Sequence, residues 1–140
     1  MNFPRVLLAA LAVWVLYLGL GALIHGVMLA DLWVVLQRQG LTRSPATWGA
    51  YAPLAYALAL PGALAFVYAY AKGYEGGPGM QEGLRFGVLV GLMLVAFGLT
   101  WSYVTFPVPL QFLTSMSIAT VIEFAVLGMA AGVIYRPLTK

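Results

Sequence analysis

The sequence predicts an all-α fold, a polytopic membrane protein built as a bundle of four transmembrane helices. Three observations carry that expectation. Hydrophobic side chains make up 63% of the 140 residues and charged ones 8%, whereas soluble domains are near half apolar and a quarter charged. The apolar residues fall into four runs, each long enough to cross a hydrocarbon core of about 30 Å. Those runs are continuous rather than alternating, which argues against a β-barrel. Helices remain, since a spanning backbone must satisfy its own hydrogen bonds. At this length the chain has room for one domain, residues 1–140.

The first span is read over about residues 6–30. It is purely apolar from Val6 to Ile24, and the helix is expected to continue through His25, Asp31 and Trp33 to Gln39, where Gly40 offers a stop. Arg5 ahead of an apolar stretch has the look of a secretory signal. The stretch is longer than a signal core and no small-residue cleavage site follows, so a retained anchor is expected. The second span covers about 48–71 and includes Pro53 and Pro61, which membrane helices tolerate when neighbours satisfy the freed carbonyls. Lys72-Gly73-Tyr74-Glu75-Gly76-Gly77-Pro78-Gly79 is the clearest loop. The third span is placed at about 82–106, Pro107-Val108-Pro109 makes a tight connector, and the fourth span covers about 110–135.

With four spans both termini lie on one side. That side holds Arg5, Lys72, Arg85, Arg136 and Lys140, against Arg38 and Arg43 on the other. The bias toward basic residues makes the termini and the glycine loop cytoplasmic. The net charge of +3 sits at span edges and forms no stripe, so no nucleic-acid partner is expected and the lipid bilayer is the medium. The absence of cysteine removes disulfides, thiolate metal sites and cysteine nucleophiles.

Glycines mark the packing faces. Gly83, Gly87 and Gly91 are spaced four apart and Gly98 follows, all near one helical face. Gly128 and Gly132 repeat the spacing in the fourth span, and Gly19, Ala22 and Gly26 do so in the first. Such stripes let backbones approach closely. They hold the bundle together or face a second copy or a membrane partner subunit, and both uses stay open.

Glu123 is the one carboxylate in the middle of an apolar run, Ile118 to Tyr135. An acid at that depth faces a protein interior, a partner or a watery cavity. It lies 13 residues before Arg136, about 20 Å along the axis, and so near the midplane. His25 lies 20 residues after Arg5, which leaves a depth gap of about 10 Å to Glu123 in straight helices. Polar side chains gather in the half of the bundle away from the termini: Thr100, Ser102, Tyr103, Thr105, Gln111, Thr114, Ser115, Ser117 and Thr120, with Tyr51 and Tyr56. Thr120 shares a helix face with Glu123. The expected site is an outward-facing polar cavity that ends at Glu123, with Thr120, His25, Tyr103 and Gln111 as ligand-binding candidates. A structural acid, and hydroxyls bonded to their own helices, are the plainer alternatives. Trp33, Trp48 and Trp101 fit an interfacial aromatic belt.

Several chemistries rank low. Membrane haem usually takes two axial side chains, and His25 is the only histidine. Met28, three residues on, cannot supply the opposite ligand to the same iron. Zinc needs three or four ligands, and His25, Asp31 and Glu123 lie at uneven depths, so neither metal nor cofactor is expected. No phosphate-cradling loop or Gly-x-Ser-x-Gly elbow occurs, no catalytic residue is assigned, and an enzyme is the minority reading. Lys72-Gly73-Tyr74-Glu75-Gly76, then Glu82-Gly83-Leu84-Arg85-Phe86-Gly87, Pro107-Val108-Pro109 and Ile122-Glu123 together resemble small bacterial four-span membrane proteins of unassigned function. The resemblance implies that architecture and no reaction. The bacterial cytoplasmic (inner) membrane is the expected location. Two functions are carried forward: binding or transport of a small or lipid-like solute around Glu123, and a non-catalytic accessory or assembly role in a larger membrane complex.

Overall fold

In the computed structural model of the chain, which describes residues 1–135, the first helix starts where Asn2 caps it. The Asn2 side chain accepts from the Arg5 amide at 3.3 Å, and Pro4 sits in the first turn, where a missing N–H removes no bond. Helix α1 runs Phe3–Leu23 and passes into a π-helical turn, Ile24–Met28. The Leu29 amide bonds the Ile24 carbonyl at 2.8 Å, five residues back, and Leu29 (φ −108°, ψ 15°) breaks the run before α2, Ala30–Arg38. The uninterrupted helix expected through Gln39 is therefore corrected to two pieces. Gly40 does end the second piece, at φ 72°.

Helix α3, Pro45–Gly73, begins at Ser44, whose hydroxyl accepts from the Thr47 amide at 3.3 Å. Its 29 residues reach about 44 Å and include both Pro53 and Pro61. Between those prolines the Tyr56 carbonyl takes a 2.9 Å bond from Trp14 Nε1 of α1. The carbonyls that the prolines free are those of Gly49 and Ala57, four residues back, so this bond ties α3 to α1 instead of replacing a lost one. Helix α4, Gly79–Leu94, continues through a second π-helical turn, Val95–Leu99, into α5, Thr100–Thr105. The last helix, α6, is Leu110–Ile134.

Among the described residues, four helical stretches are long and apolar enough to cross a membrane: Phe3–Met28, Pro45–Gly73, Gly79–Thr105 and Leu110–Ile134. No strand occurs among the described residues, and the chain is an all-α membrane bundle. Its first three spans start a few residues earlier than the apolar runs, because the N-cap positions Asn2, Ser44 and Pro78 precede the hydrophobic pattern, and the fourth starts at Leu110 as expected. Arg136 and Lys140, part of the charge argument for orientation, lie outside the described residues. The end holding Arg5, the 74–78 loop and Tyr135 is called the loop end below, and the opposite one the far end.

The core belongs to the loop end. Val6, Ala9, Ala10 and Val13 of α1 pack with Ala63, Val67 and Tyr70 of α3 and with Leu127, Ala131 and Tyr135 of the fourth span and its end. Rings close the bundle across three elements: Phe66 lies 4.9 Å from Phe86 and 5.7 Å from Phe124, and Tyr70 lies 5.6 Å from Phe86. Toward the far end the buried apolar residues thin to Ile24, Leu32, Leu36 and Ala52.

Helices α4 and α6 lie backbone to backbone. Carbonyl oxygens of Gly132, Gly128 and Phe124 occupy the positions where Gly79, Gly83 and Gly87 would carry a Cβ, and Val121 Cα is 2.9 Å from that position at Gly91. Gly128 and Gly132 receive the carbonyls of Gly83 and Gly79 in the same way. The glycine hydrogens face those oxygens, a weak attraction added to close dispersion contact. Gly98 is the exception and corrects the expected stripe. It lies in the second π turn, exposed, with nothing within 4 Å of a Cβ built there. The wider turn shifts the register, so the four-residue spacing stops at Gly91. Gly19 and Gly26 likewise meet nothing within 4 Å.

Candidate functional site

Near the middle of α6 an acid is held in an apolar setting. Glu123 is 6% exposed, and its Oε1 is enclosed without a hydrogen-bond partner. Across from it stands Gly21 of α1, where an added Cβ would lie 4.0 Å from Oε1. A larger side chain there would take the space beside the carboxyl group. Tyr17 stands one turn earlier on α1. The residues 17, 21 and 25 follow at intervals of four, so Tyr17, Gly21 and His25 rise along one side of the first span.

His25 is half-buried, and its Nδ1 is enclosed without a partner. Its ring meets Trp33 edge-on at 5.8 Å, and Trp33 meets Phe112 of α6 at 6.1 Å. Trp33 Nε1 is the third such atom. Among the described residues, Glu123 Oε1, His25 Nδ1 and Trp33 Nε1 are the enclosed side-chain polar atoms left unpaired. Glu123 faces α1 at Gly21, while His25 and Trp33 meet edge-on and Trp33 reaches α6 at Phe112. Enclosed polar atoms are nearly always bonded in folded proteins, so each of these three stands out.

His25 and Glu123 do not bond each other. Gly21 sets the level of Glu123, and four residues separate Gly21 from His25, so the rise between them is about 6 Å rather than 10 Å. The other candidates scatter. Thr120 is half-buried, and its carbonyl lies 3.4 Å from a Cβ built on Gly91, in the α4–α6 contact. Tyr103 is 36% exposed and Gln111 is exposed. At the far end three of the hydroxyls expected to line a funnel serve their own helices. Thr100 donates to the Val95 carbonyl at 3.0 Å, Ser102 to Gly98 at 3.1 Å, and Thr114 to Gln111 at 3.1 Å. The cavity that exists there is mainly apolar and is walled by Trp33, Leu36, Leu41, Thr42, Ser102, Phe106, Val108 and Phe112.

A second buried carboxyl group has a different task. Glu82, in the first turn of α4, accepts from the amides of Glu75, at 3.2 Å, and Gly77. Tyr74 donates to the Gly77 carbonyl at 2.9 Å and Tyr70 to the Gly79 carbonyl at 3.2 Å. Glu82 thereby clasps the loop from the first turn of α4.

Sequence reasoning missed Tyr17, Gly21 and Gly79. Their signal was spacing alone: Gly79 precedes Gly83 by four, and Tyr17 and Gly21 precede His25 by eight and four. Comparisons with protein-family models, with curated proteins and with solved structures find no match to this chain.

Proposed function

We propose that this chain is a multi-pass protein of the bacterial cytoplasmic (inner) membrane that binds or transports a small or lipid-like solute at Glu123. Both termini lie in the cytoplasm on this reading, and the carboxyl group exchanges a proton as the solute binds. The observation that carries it is the enclosed Oε1 of Glu123, unpaired and opposite the notch at Gly21. An acid placed so deep costs stability, and a membrane helix keeps one where a ligand, an ion or a proton relay uses it. Its neutral form can donate to a solute oxygen and its charged form can accept from a solute N–H or O–H. The accessory role drew on the glycine stripes as docking faces. Those of the third and fourth spans instead face each other within the chain.

Native mass spectrometry of the full chain released from nanodiscs tests the proposal. The wild type is expected to carry a non-protein species whose retention varies with pH. Glu123→Gln, which keeps the shape and removes the titration, and Gly21→Leu, which fills the notch, are expected to lose it. Equal retention in all three proteins overturns the assignment. A stoichiometric second polypeptide in its place would favour the accessory role.

A further inference from the structure

Glu123 has one oxygen sealed and one open. Its Oε1 is enclosed, whereas Oε2 keeps free surface and bonds nothing in the chain. The whole residue is only 6% exposed, so that surface is a narrow window. Its surroundings are apolar. Ile118 and Ile122 on α6 are 63% and 57% exposed, and Leu23 on α1 is 50% exposed. Gly21, opposite, brings no side chain to cover the carboxyl group. Near the midplane such a surface faces hydrocarbon, so whatever reaches Oε2 arrives dissolved in the bilayer.

The window also lacks a counter-charge. Among the described residues the basic side chains are Arg5, Arg38, Arg43, Lys72 and Arg85, all toward span ends, and none belongs to the fourth span. Glu123 has no ion pair with any of them. A charge left unpaired in hydrocarbon is costly, and a neutral carboxyl group there gains only an ordinary hydrogen bond from an alcohol or amide. An amine gains more. It takes the proton from the carboxyl oxygen onto its nitrogen, and an N–H of the resulting ammonium ion donates to Oε2. One proton moves, the pair carries no net charge, and no third reactant is needed. A quaternary ammonium ion has no N–H and misses that bond. Headgroup amines of the bilayer lie about 15 Å away at its surface, so the amine belongs to a free amphiphile.

We propose that the Glu123 window takes a slim, lipid-soluble primary amine as an ammonium–carboxylate pair, admitted sideways from the bilayer. This names the solute class of the site proposed above and rests on that reading.

Carbon-13 NMR of the full chain in phosphatidylcholine nanodiscs, labelled at glutamate Cδ, reads the site directly at constant pH. Three signals are expected, from Glu75, Glu82 and Glu123, and the last is assigned by its loss in Glu123→Gln. n-Octylamine is expected to move the Glu123 signal saturably to the position of an ionised carboxylate. n-Octanol has the same chain and a neutral hydroxyl. It is expected to need about tenfold more, the difference between a charged and a neutral hydrogen bond. Gly21→Leu closes the window and is expected to abolish the response. Gly19→Leu, where a Cβ meets open space, is expected to keep it. An unmoved Glu82 signal shows that each variant retains the fold. A Glu123 signal that octanol moves at the same concentration overturns the amine and leaves the midplane solute site standing. A signal that neither compound moves overturns the inference, and the mass spectrometry above decides the solute reading on its own. Movement of all three signals in step marks adsorption at the bilayer surface and also overturns it.

Discussion

Glu123 carries a cost that its surroundings do not offset. A buried carboxyl group with an unpaired oxygen loses its hydration and gains no hydrogen bond within the chain. Replacing it by an apolar residue of similar length should therefore stabilise the bundle. Glu123→Met is expected to raise the free energy of unfolding by about 1–3 kcal/mol, the penalty of an unsatisfied buried polar group, read as a higher melting temperature in detergent. A lower melting temperature would mean that the acid is structural. The acid was legible in the sequence because a lone carboxylate interrupts an apolar run. Gly21 and Tyr17 were not, because their role depends on which side of α1 turns toward α6. That rotation is fixed by packing between helices and leaves no mark in the composition of either one.

At the scale of elements, the α4–α6 contact and the two π turns account for most of the departure from expectation. The four-residue spacing announced the glycine contact, and Gly83, Gly87, Gly91, Gly128 and Gly132 all lie in it. Gly98 left the stripe because a π turn adds a residue to the helical repeat through the backbone, with no side-chain signature. The two kinds of glycine should answer differently to a methyl group. Gly83→Ala or Gly128→Ala forces the Cβ against a carbonyl and is expected to cost roughly 1–3 kcal/mol, as overpacking does. Gly98→Ala meets open space and is expected to be neutral or to stabilise by up to about 1 kcal/mol through helix propensity. Thermal melts of the variants measure both, and equal losses at all three positions would remove the distinction. The far-end hydroxyls carry a related lesson. Thr100, Ser102 and Thr114 read in sequence as a polar lining, but a helix offers each of them a carbonyl three to five residues back, nearer than any ligand.

Across the whole molecule, order is distributed unevenly. The loop end holds the core cluster, the ring contacts and the Glu82 clasp, while the far end holds a cavity and few buried side chains. Four spans and an all-α bundle could be read from hydropathy, because length and apolarity alone decide what crosses a bilayer. The gradient from one end to the other could not, since it arises from which small residues face each other. Spin labels report its dynamic counterpart. A pair across α4 and α6 is expected to give one narrow distance, and a pair joining the far end of the first span to α6 a broad one. Equal widths would show a uniformly rigid bundle. The α4–α6 contact then has a mechanical meaning. Two helices joined through their backbones behave as a single wall, and a wall does not open along its own joint. Glu123 stands on that wall and Gly21 on the first span beside it, so any movement that uncovers the acid has to come from the first span rather than from the α4–α6 joint. The π turn at Ile24–Met28 lies one turn above Gly21, and Leu29 breaks the helix just beyond it, so the first span is interrupted on the far side of the acid.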